Sequence, residues 1–377
     1  MAPNIVNGTL MPVIINEASQ SPIVSIPPIK QSNPKVIKSQ PIEEKEEKKP
    51  SFIFRKDIKW ANVVMITILH ILGIYGFVVY FPYVQNLRLF LWTFMLGMMA
   101  AFGVTGGVHR YWTHKAYKAK TPLKIILAIC YLTAGQNSIV QWVKDHRVHH
   151  KYSETDADPH NSNRGFFFAH VGWLMLKKHP DVIRKGRQLD VSDIYNEPVA
   201  AFFERHFMLY KVLVCFVIPI LVPVFCWNED WVITILFQLS RYMYVLNATW
   251  CVNSFAHFFG NKPYDRHISP VESNFVAYVS LGEGWHNYHH VFPSDYRAAE
   301  IGGGRFNLTT KLIDFFARIG WAYDLKEPSD SLVKMTIANR GDGSHEHAAE
   351  IARKATIEPT NFDNTKNGFS DTHTKTS

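Results

Sequence analysis

Nine of the eighteen histidines fall into four short motifs. They are His109 and His114 in HRYWTH; His146, His149 and His150 in HRVHH; His257 in NSFAH, four residues after Asn253; and His286, His289 and His290 in HNYHH. Neutral imidazole is the commonest metal ligand among side chains and suits iron, copper, nickel and zinc. One such ion takes about four to six ligands, so nine histidines point to two ions. Residues at i, i+3 and i+4 of an α-helix share a face. Both HxxHH triplets have that spacing, and the two adjacent histidines of each diverge, so one helix can serve two neighbouring ions. Asn253 and His257 are expected to share a face as well. His109 and His114, five apart, do not align on a regular helix and are expected where a helix ends and the chain turns.

Four apolar stretches must position these motifs, at about 61–81, 89–108, 209–227 and 231–252, each near the roughly 20 residues a bilayer requires. The connectors 82–88 and 228–230 are short, so the stretches pair into two hairpins. The connectors carry only Arg88 as a base, whereas 109–208 carries fifteen Lys and Arg. By the positive-inside tendency, both termini and the long loop are cytosolic. All nine histidines can then meet on that one side. The net charge of +8 reads as a membrane-facing cytosolic surface rather than a nucleic-acid site. The fold class expected is an all-α integral membrane protein, four transmembrane helices in two hairpins under a cytosolic helical cap (109–208 and 253–330).

The ends differ from this body. Residues 1–50 are polar, proline-dotted and end in EEKEEKK; they bury too little apolar surface to offset chain entropy and are expected to be disordered. They hold no apolar core with a cleavage site, so no signal peptide is read. Residues 331–377 are expected to form a polar tail, which leaves 51–330 as the membrane domain. The four cysteines lie in apolar segments without metal or disulfide spacing and read as buried free thiols. The 123–134 stretch is too short to span and reads as interfacial or re-entrant. Pro219 and Pro223 should kink the third span. Arg241 lies mid-span, where an ion pair or a shifted boundary would relieve its cost. His70 reads as a packing residue, and His160 and His170 lack cluster spacing. Asp156 and Asp158 are candidates to orient histidines through the second ring N–H.

Two histidine-rich ions beside a membrane suit oxygen activation on an apolar substrate, because two irons can share the electrons involved. Two zincs would imply hydrolysis instead. The soluble di-iron carboxylate plan needs two Glu-x-x-His motifs, and only Glu283 with His286 has that spacing. A transporter would place ionisable ligands near the bilayer midplane, whereas these lie at the ends of spans.

The motifs HRYWTH, HRVHH with KYSETDADPHN, NSFAH and GEGWHNYHHVFP closely resemble the membrane-bound acyl-CoA desaturases of the stearoyl-CoA (delta-9) type, in their insect branch. The resemblance runs from about residue 60 to 324. It implies that the nine histidines bind two irons and that Asn253 reaches one of them through water. It implies insertion of a cis double bond into a long-chain saturated acyl-CoA in the endoplasmic reticulum membrane, with O2 as co-substrate. Electrons would come from cytochrome b5 and its NADH-dependent reductase as separate proteins. It also implies an acyl tunnel bent by Gln136, Trp142 and Thr249 with Trp250 nearby. The coenzyme A head group would be held by Asn62, Lys144, Asp145, Lys177 and Lys178. Lys144 and Lys177 stand where relatives often have Arg, which keeps charge but not bidentate phosphate geometry. The end of the second span, Gly97 to Gly103, is the expected floor for the acyl tail, and Gly97, where relatives carry something bulkier, leaves room for a longer or displaced chain. A specialised pheromone-type desaturase of other regiochemistry, or a related membrane hydroxylase, are the competing readings.

Overall fold

The computed structural model describes residues 57–80, 87–300, 305–357 and 369–371. The 1–50 segment and most of the first hairpin connector lie outside them. Among the described residues, three helices are long and apolar enough to cross a bilayer: the first at Trp60–Tyr80, the second at Leu87–Thr113 and the third at Phe207–Trp227. At 1.5 Å per residue the first is about 30 Å long, one hydrocarbon thickness. Their outer faces expose Met65, Ile71, Phe94 and Phe225, as lipid contact requires. The fourth expected span is a helix at Trp231–Asn253, of 23 residues. Gln238, Arg241 and Asn247 make it less apolar than the other three, and the first two are buried.

The first and fourth helices touch at glycines. A Cβ on Gly76 would lie 2.7 Å from Ser240 Oγ and 2.8 Å from the Leu236 carbonyl, and one on Gly73 2.9 Å from Met243 Sδ. Ser240 Oγ donates to the Gly73 carbonyl at 2.8 Å. Small residues are the usual route to such close approach between helices in lipid.

Of the two expectations for Arg241, an ion pair or a shifted boundary, the ion pair is not formed among the described residues: its guanidinium donates to neutral oxygens, Gln238 Oε1 (2.8 Å) and the carbonyls of Thr133 (2.8 Å) and Cys215 (2.7 Å). Both carbonyls have a reason to be free. The helix Thr121–Thr133 ends there, and terminal carbonyls lack intrahelical partners. Pro219 has no N–H to offer the carbonyl four residues before it, which is Cys215. Pro223 does the same for the Pro219 carbonyl, which accepts from Trp92 Nε1 at 3.0 Å. The prolines therefore supply acceptors to neighbouring elements.

Two further expectations, on the cysteines and on the C-terminal segment, are corrected. The 121–133 helix, too short to span, lies against the second helix, where Gly103 approaches so closely that a Cβ would meet Tyr131 N at 2.1 Å; Leu123, Leu127 and Leu132 are buried, while Ile125 and Ile129 face outward. Cys226 is exposed, while Cys130, Cys215 and Cys251 are buried as expected. Within the segment expected as a tail, the described residues up to 357 form docked helices. Helices Asp330–Arg340 and Ala348–Ile357 bury Val333, Ile337 and Ile351 against Tyr264, Tyr288 and Phe292.

Replacing Gly76 by Ala should cost about 1–3 kcal/mol, the usual range for overpacking. Thermal unfolding in detergent would read this, and an unchanged midpoint would rule out the tight contact between the first and fourth helices.

Candidate metal centre

Each histidine motif is delivered by a local feature of the backbone. From Gly103 to Thr113 the second helix widens into a π-helix, whose hydrogen bonds run i to i+5. That wider turn aligns His109 with His114, whose N–H donates to the His109 carbonyl at 3.2 Å. The chain does leave the helix at His114, as expected, but the alignment comes from the π turn. Ser138 caps the helix Ile139–Tyr152, which carries His146, His149 and His150. The fourth helix ends at Asn253 and breaks at Ser254, and His257 sits in a separate short helix, Phe255–Phe258. Asn253 and His257 are thus not on one continuous face. A six-residue helix, His286–Val291, carries the last three.

The nine rings gather into two groups, within each of which the ligand atoms lie within 4.8 Å of one another. One holds His109, His114, His146, His150 and His289; the other holds His149, His257, His286 and His290. The adjacent pairs 149/150 and 289/290 split between the groups, as the spacing predicts. In the first group Nε2 atoms are separated by 3.0 Å (His109–His289) and 3.1 Å (His114–His146, His146–His150, His150–His289). In the second, His149–His290, His257–His286 and His286–His290 are each 3.2 Å apart. Ligands at about 2.1 Å from an ion and at right angles stand about 3.0 Å apart, so both groups have the spacing of a coordination shell.

Carboxylates fix the ring tautomers. His109 Nδ1 donates to Glu283 Oε2 at 2.8 Å, His257 Nδ1 to Glu154 Oε1 at 2.8 Å, and His149 Nδ1 to Asp158 at 3.0 Å. With Nδ1 protonated, Nε2 presents a lone pair to the centre. Burial alone would raise the Glu283 carboxyl, but Arg110 and then His109 outweigh it and hold it at about 2. Arg110 is itself buried and spends its donors on Glu283, Asn307, Thr310 and the Tyr296 carbonyl. Burial likewise opposes ionisation of Asp158, yet His149 and His160 hold it well below the usual range. Burial, then the neighbouring imidazoles, push His146, His150, His286, His289 and His290 well down, toward the neutral form that binds metal. Neutral imidazoles with converging lone pairs repel one another unless a cation lies between them, so this donor set fits two metal ions.

Beside the first group opens a cavity of about 510 Å³. His109, His146 and Glu283 line one end; from there the lining runs along Val104, Ala101 and Gly97 to Phe94 and Phe90 and is mostly apolar, with Thr93, Ser240 and Arg241 also in the wall. From the 97–103 stretch Gly97, Met98 and Ala101 line the cavity, which continues past Gly97 to Phe94 and Phe90. A second cavity, of about 280 Å³, is lined by Asn62, Gln136, Asp145, Lys211 and Trp250. The two share Trp142, His146, Thr249 and Asn253 in their walls. Where they meet, Trp142 Nε1 donates to Gln136 Oε1 (3.0 Å), whose Nε2 donates to Thr249 Oγ1 (2.9 Å).

A profile of the family described as Fatty acid desaturase matches residues 85–298. The chain belongs to the fatty acid desaturase family. Among similar proteins, "Acyl-CoA Delta-9 desaturase" of Acheta domesticus is 49% identical over 80% of this chain and 84% of that protein. "Acyl-CoA Delta(11) desaturase" of Spodoptera littoralis is 47% identical over 81% and 91%. "Stearoyl-CoA desaturase 5" of Bos taurus is 50% identical over 77% and 86%. As a fatty acid desaturase the chain is an oxidoreductase.

The remaining candidates in this desaturase are distributed unevenly. Asn62 Nδ2 donates to the Leu174 carbonyl at 2.8 Å, and Asp145 accepts from Lys178 Nζ and Gln141 Nε2. Lys144 packs toward Gly186, and Lys177 is exposed; neither lines either of these two cavities. Trp250 is buried between His70 and His170. His70 is the packing residue expected: its Nδ1 pairs with the Ile66 carbonyl and its Nε2 accepts from Asn247, which also accepts from His170. Asp156 is exposed and orients nothing. Sequence reasoning passed over Glu154, Arg110, Lys211 and His160. His160 is buried, 4.2 Å from the His149 ring, and lines the second cavity.

Replacing any one of the nine histidines by Ala should lower bound metal per chain and abolish turnover. Metal analysis of purified protein checks this, and a variant retaining full metal leaves the ligand set. A second expectation concerns Glu272, whose carboxyl burial pushes up to about 8 while its Oε1 accepts from Tyr288 N. A pKa raised on folding gives stability that is full below the unfolded value and lost as pH rises through the folded one. Glu272→Gln should therefore gain thermal stability relative to the parent between pH 5 and 9. A pH-independent difference would count against the protonated carboxyl.

Proposed function

We propose that this chain is a di-iron acyl-CoA desaturase of the endoplasmic reticulum membrane, inserting a cis double bond at the delta-9 position of a long-chain saturated acyl-CoA. The observation that carries this reading is the apolar cavity whose end wall is made by His109 and His146, two ligands of the first group. A greasy chain lying there would expose its methylenes to the metals and to little water. A cavity of this size and lining is typical for a lipid-like ligand. In this reading the five-histidine and four-histidine groups each hold one iron, with Asn253 reaching the second through water. Iron and O2 together supply the oxidant that removes two hydrogens from adjacent methylenes, O2 ending as water, with electrons from cytochrome b5 and its NADH-dependent reductase.

The chain's own residues do the positioning. Trp142, Gln136 and Thr249 form the hydrogen-bonded bend between the cavities, with Trp250 beside it, and would turn the acyl chain past the ligands. Asn62 and Asp145 line the outer cavity, and Lys144, Lys177 and Lys178 supply cations for the phosphates of coenzyme A. The 109–208 segment with its fifteen bases lies on the cytosolic side, both termini with it, beneath which Trp231–Asn253 serves as a fourth span. Its inward Arg241, bonded to carbonyls, is what permits that helix to sit in lipid.

Expression in a desaturase-deficient yeast, with mass spectrometry of derivatised fatty acids, tests the reading. Growth rescue with double bonds at carbon nine is expected. Bonds at carbon eleven would keep the chemistry and overturn the position, and hydroxylated products would overturn the reaction.

A further inference from the structure

The segment expected as a tail is wired into the last metal-binding helix, and it lies beyond residue 298, where the family match ends. The wiring runs through the non-histidine residues of HNYHH. Asn287 is fully buried, and all four of its side-chain hydrogen bonds are made. Its Nδ2 donates to the carbonyls of Asp265 and Pro270, both at 2.9 Å. Its Oδ1 accepts from Tyr264 N (2.9 Å) and Asp265 N (3.0 Å). An Asn side chain offers two donors and two acceptor lone pairs, so it is saturated by one short stretch, 264–270. The helix it sits on has six residues, too short to hold its own position.

That stretch is in turn held from the C-terminal side. The buried carboxylate of Asp265 pairs with the Arg340 guanidinium. Arg266 N donates to the Arg340 carbonyl at 2.9 Å and Arg266 Nη1 to the Gly341 carbonyl at 3.1 Å. Lys262 N donates to Asp342 Oδ2 at 2.7 Å, and Asp342 N returns a bond to the Lys262 carbonyl at 3.1 Å. Gly341 approaches so closely that a Cβ would lie 2.3 Å from the Pro263 carbonyl. Three residues beyond Asp342, buried His345 joins Tyr264 Oη in bonding Glu300 Oε2, at 2.9 Å and 2.5 Å. Val333 and Ile337 pack on Tyr264, Tyr288 and Phe292 from the same side.

We propose that residues 330–345 are a clasp that positions the helix carrying His286, His289 and His290, acting through the 262–270 stretch and Asn287. Arg340 and His345 are positioning residues that touch no ligand themselves. This inference rests on the two-metal reading of the site. Because His286 and His290 serve one group and His289 the other, loosening this helix weakens both.

The test uses the full chain purified with iron in detergent. It measures iron per chain, the rate at which an Fe(II) chelator removes it, stearoyl-CoA binding and helical circular dichroism. Arg340→Ala and His345→Ala are compared with Lys334→Ala, an exposed position on the same helix. Loss of outer support typically costs 10–100-fold in metal affinity, so iron should leave the first two variants at least about tenfold faster. Their acyl-CoA binding and helicity should match the parent, as should every property of Lys334→Ala. Should Arg340→Ala fail to fold, His345→Ala carries the test. Parent-like iron release in the folded variants would overturn the clasp, as would faster release seen only with loss of acyl-CoA binding and helicity. A parent chain that holds no iron would instead overturn the two-metal reading.

Discussion

Nine imidazole lone pairs pointed at two small volumes are the constraint from which much of this fold follows. Nε2 atoms 3.0–3.2 Å apart and shielded from water repel one another when all carry lone pairs. A cation between them would relieve that repulsion, and locking rings from behind keeps the lone pairs aimed inward. Glu283, Glu154 and Asp158 provide that lock for His109, His257 and His149, and each carboxylate has further partners: Arg110 for Glu283, Ser162 for Glu154, backbone N–H groups for Asp158. A buried carboxylate without such partners would take up a proton and lose its hold on the ring. The centre is thus a nest of paired charges whose outer layer is as necessary as its ligands.

The membrane part solves a related problem with the opposite sign. A guanidinium buried among apolar helices needs acceptors, and ordinary helices have none to spare. Pro219 and the end of the 121–133 helix release two carbonyls, and Arg241 takes both. Pro223 releases a third to Trp92. One buried cation and one indole thereby pin the second, third and fourth helices and the 121–133 helix to one another without any buried anion.

How far this was legible in the sequence depends on whether a period or a contact decided it. The HxxHH spacing announces that 149/150 and 289/290 diverge, because helical geometry is local. The four long helices were legible for the same reason. The alignment of His109 with His114 was not, since a π-helix is rare and the glycines at 103, 106 and 107 were its only hint. Glu154 and Glu283 were hidden because their histidines lie 103 and 174 positions away along the chain, and no spacing rule links them. The 330–345 segment was misread on composition: its apolar content is low, and its docking is mostly made of backbone and charge contacts with 262–266.

The same distinction explains why chemistry was readable while bond position was not. Trp142 lies one turn before His146 on one helix and stacks on its ring at 4.8 Å; Thr249 lies one turn before Asn253 on another. Gln136 ties the two together. The bend in the cavity and the metal ligands are therefore indexed from the same two rigid elements, and no loop separates them. In the proposed reading a double bond would form where the acyl chain passes the two histidine groups, so its position would count methylenes between the outer cavity and this bend. A shift of one methylene is about 1 Å, well within what a few side-chain exchanges in either cavity produce. Ligand motifs survive such exchanges untouched, which is how relatives named for carbon nine and carbon eleven can share nearly half their residues with this chain.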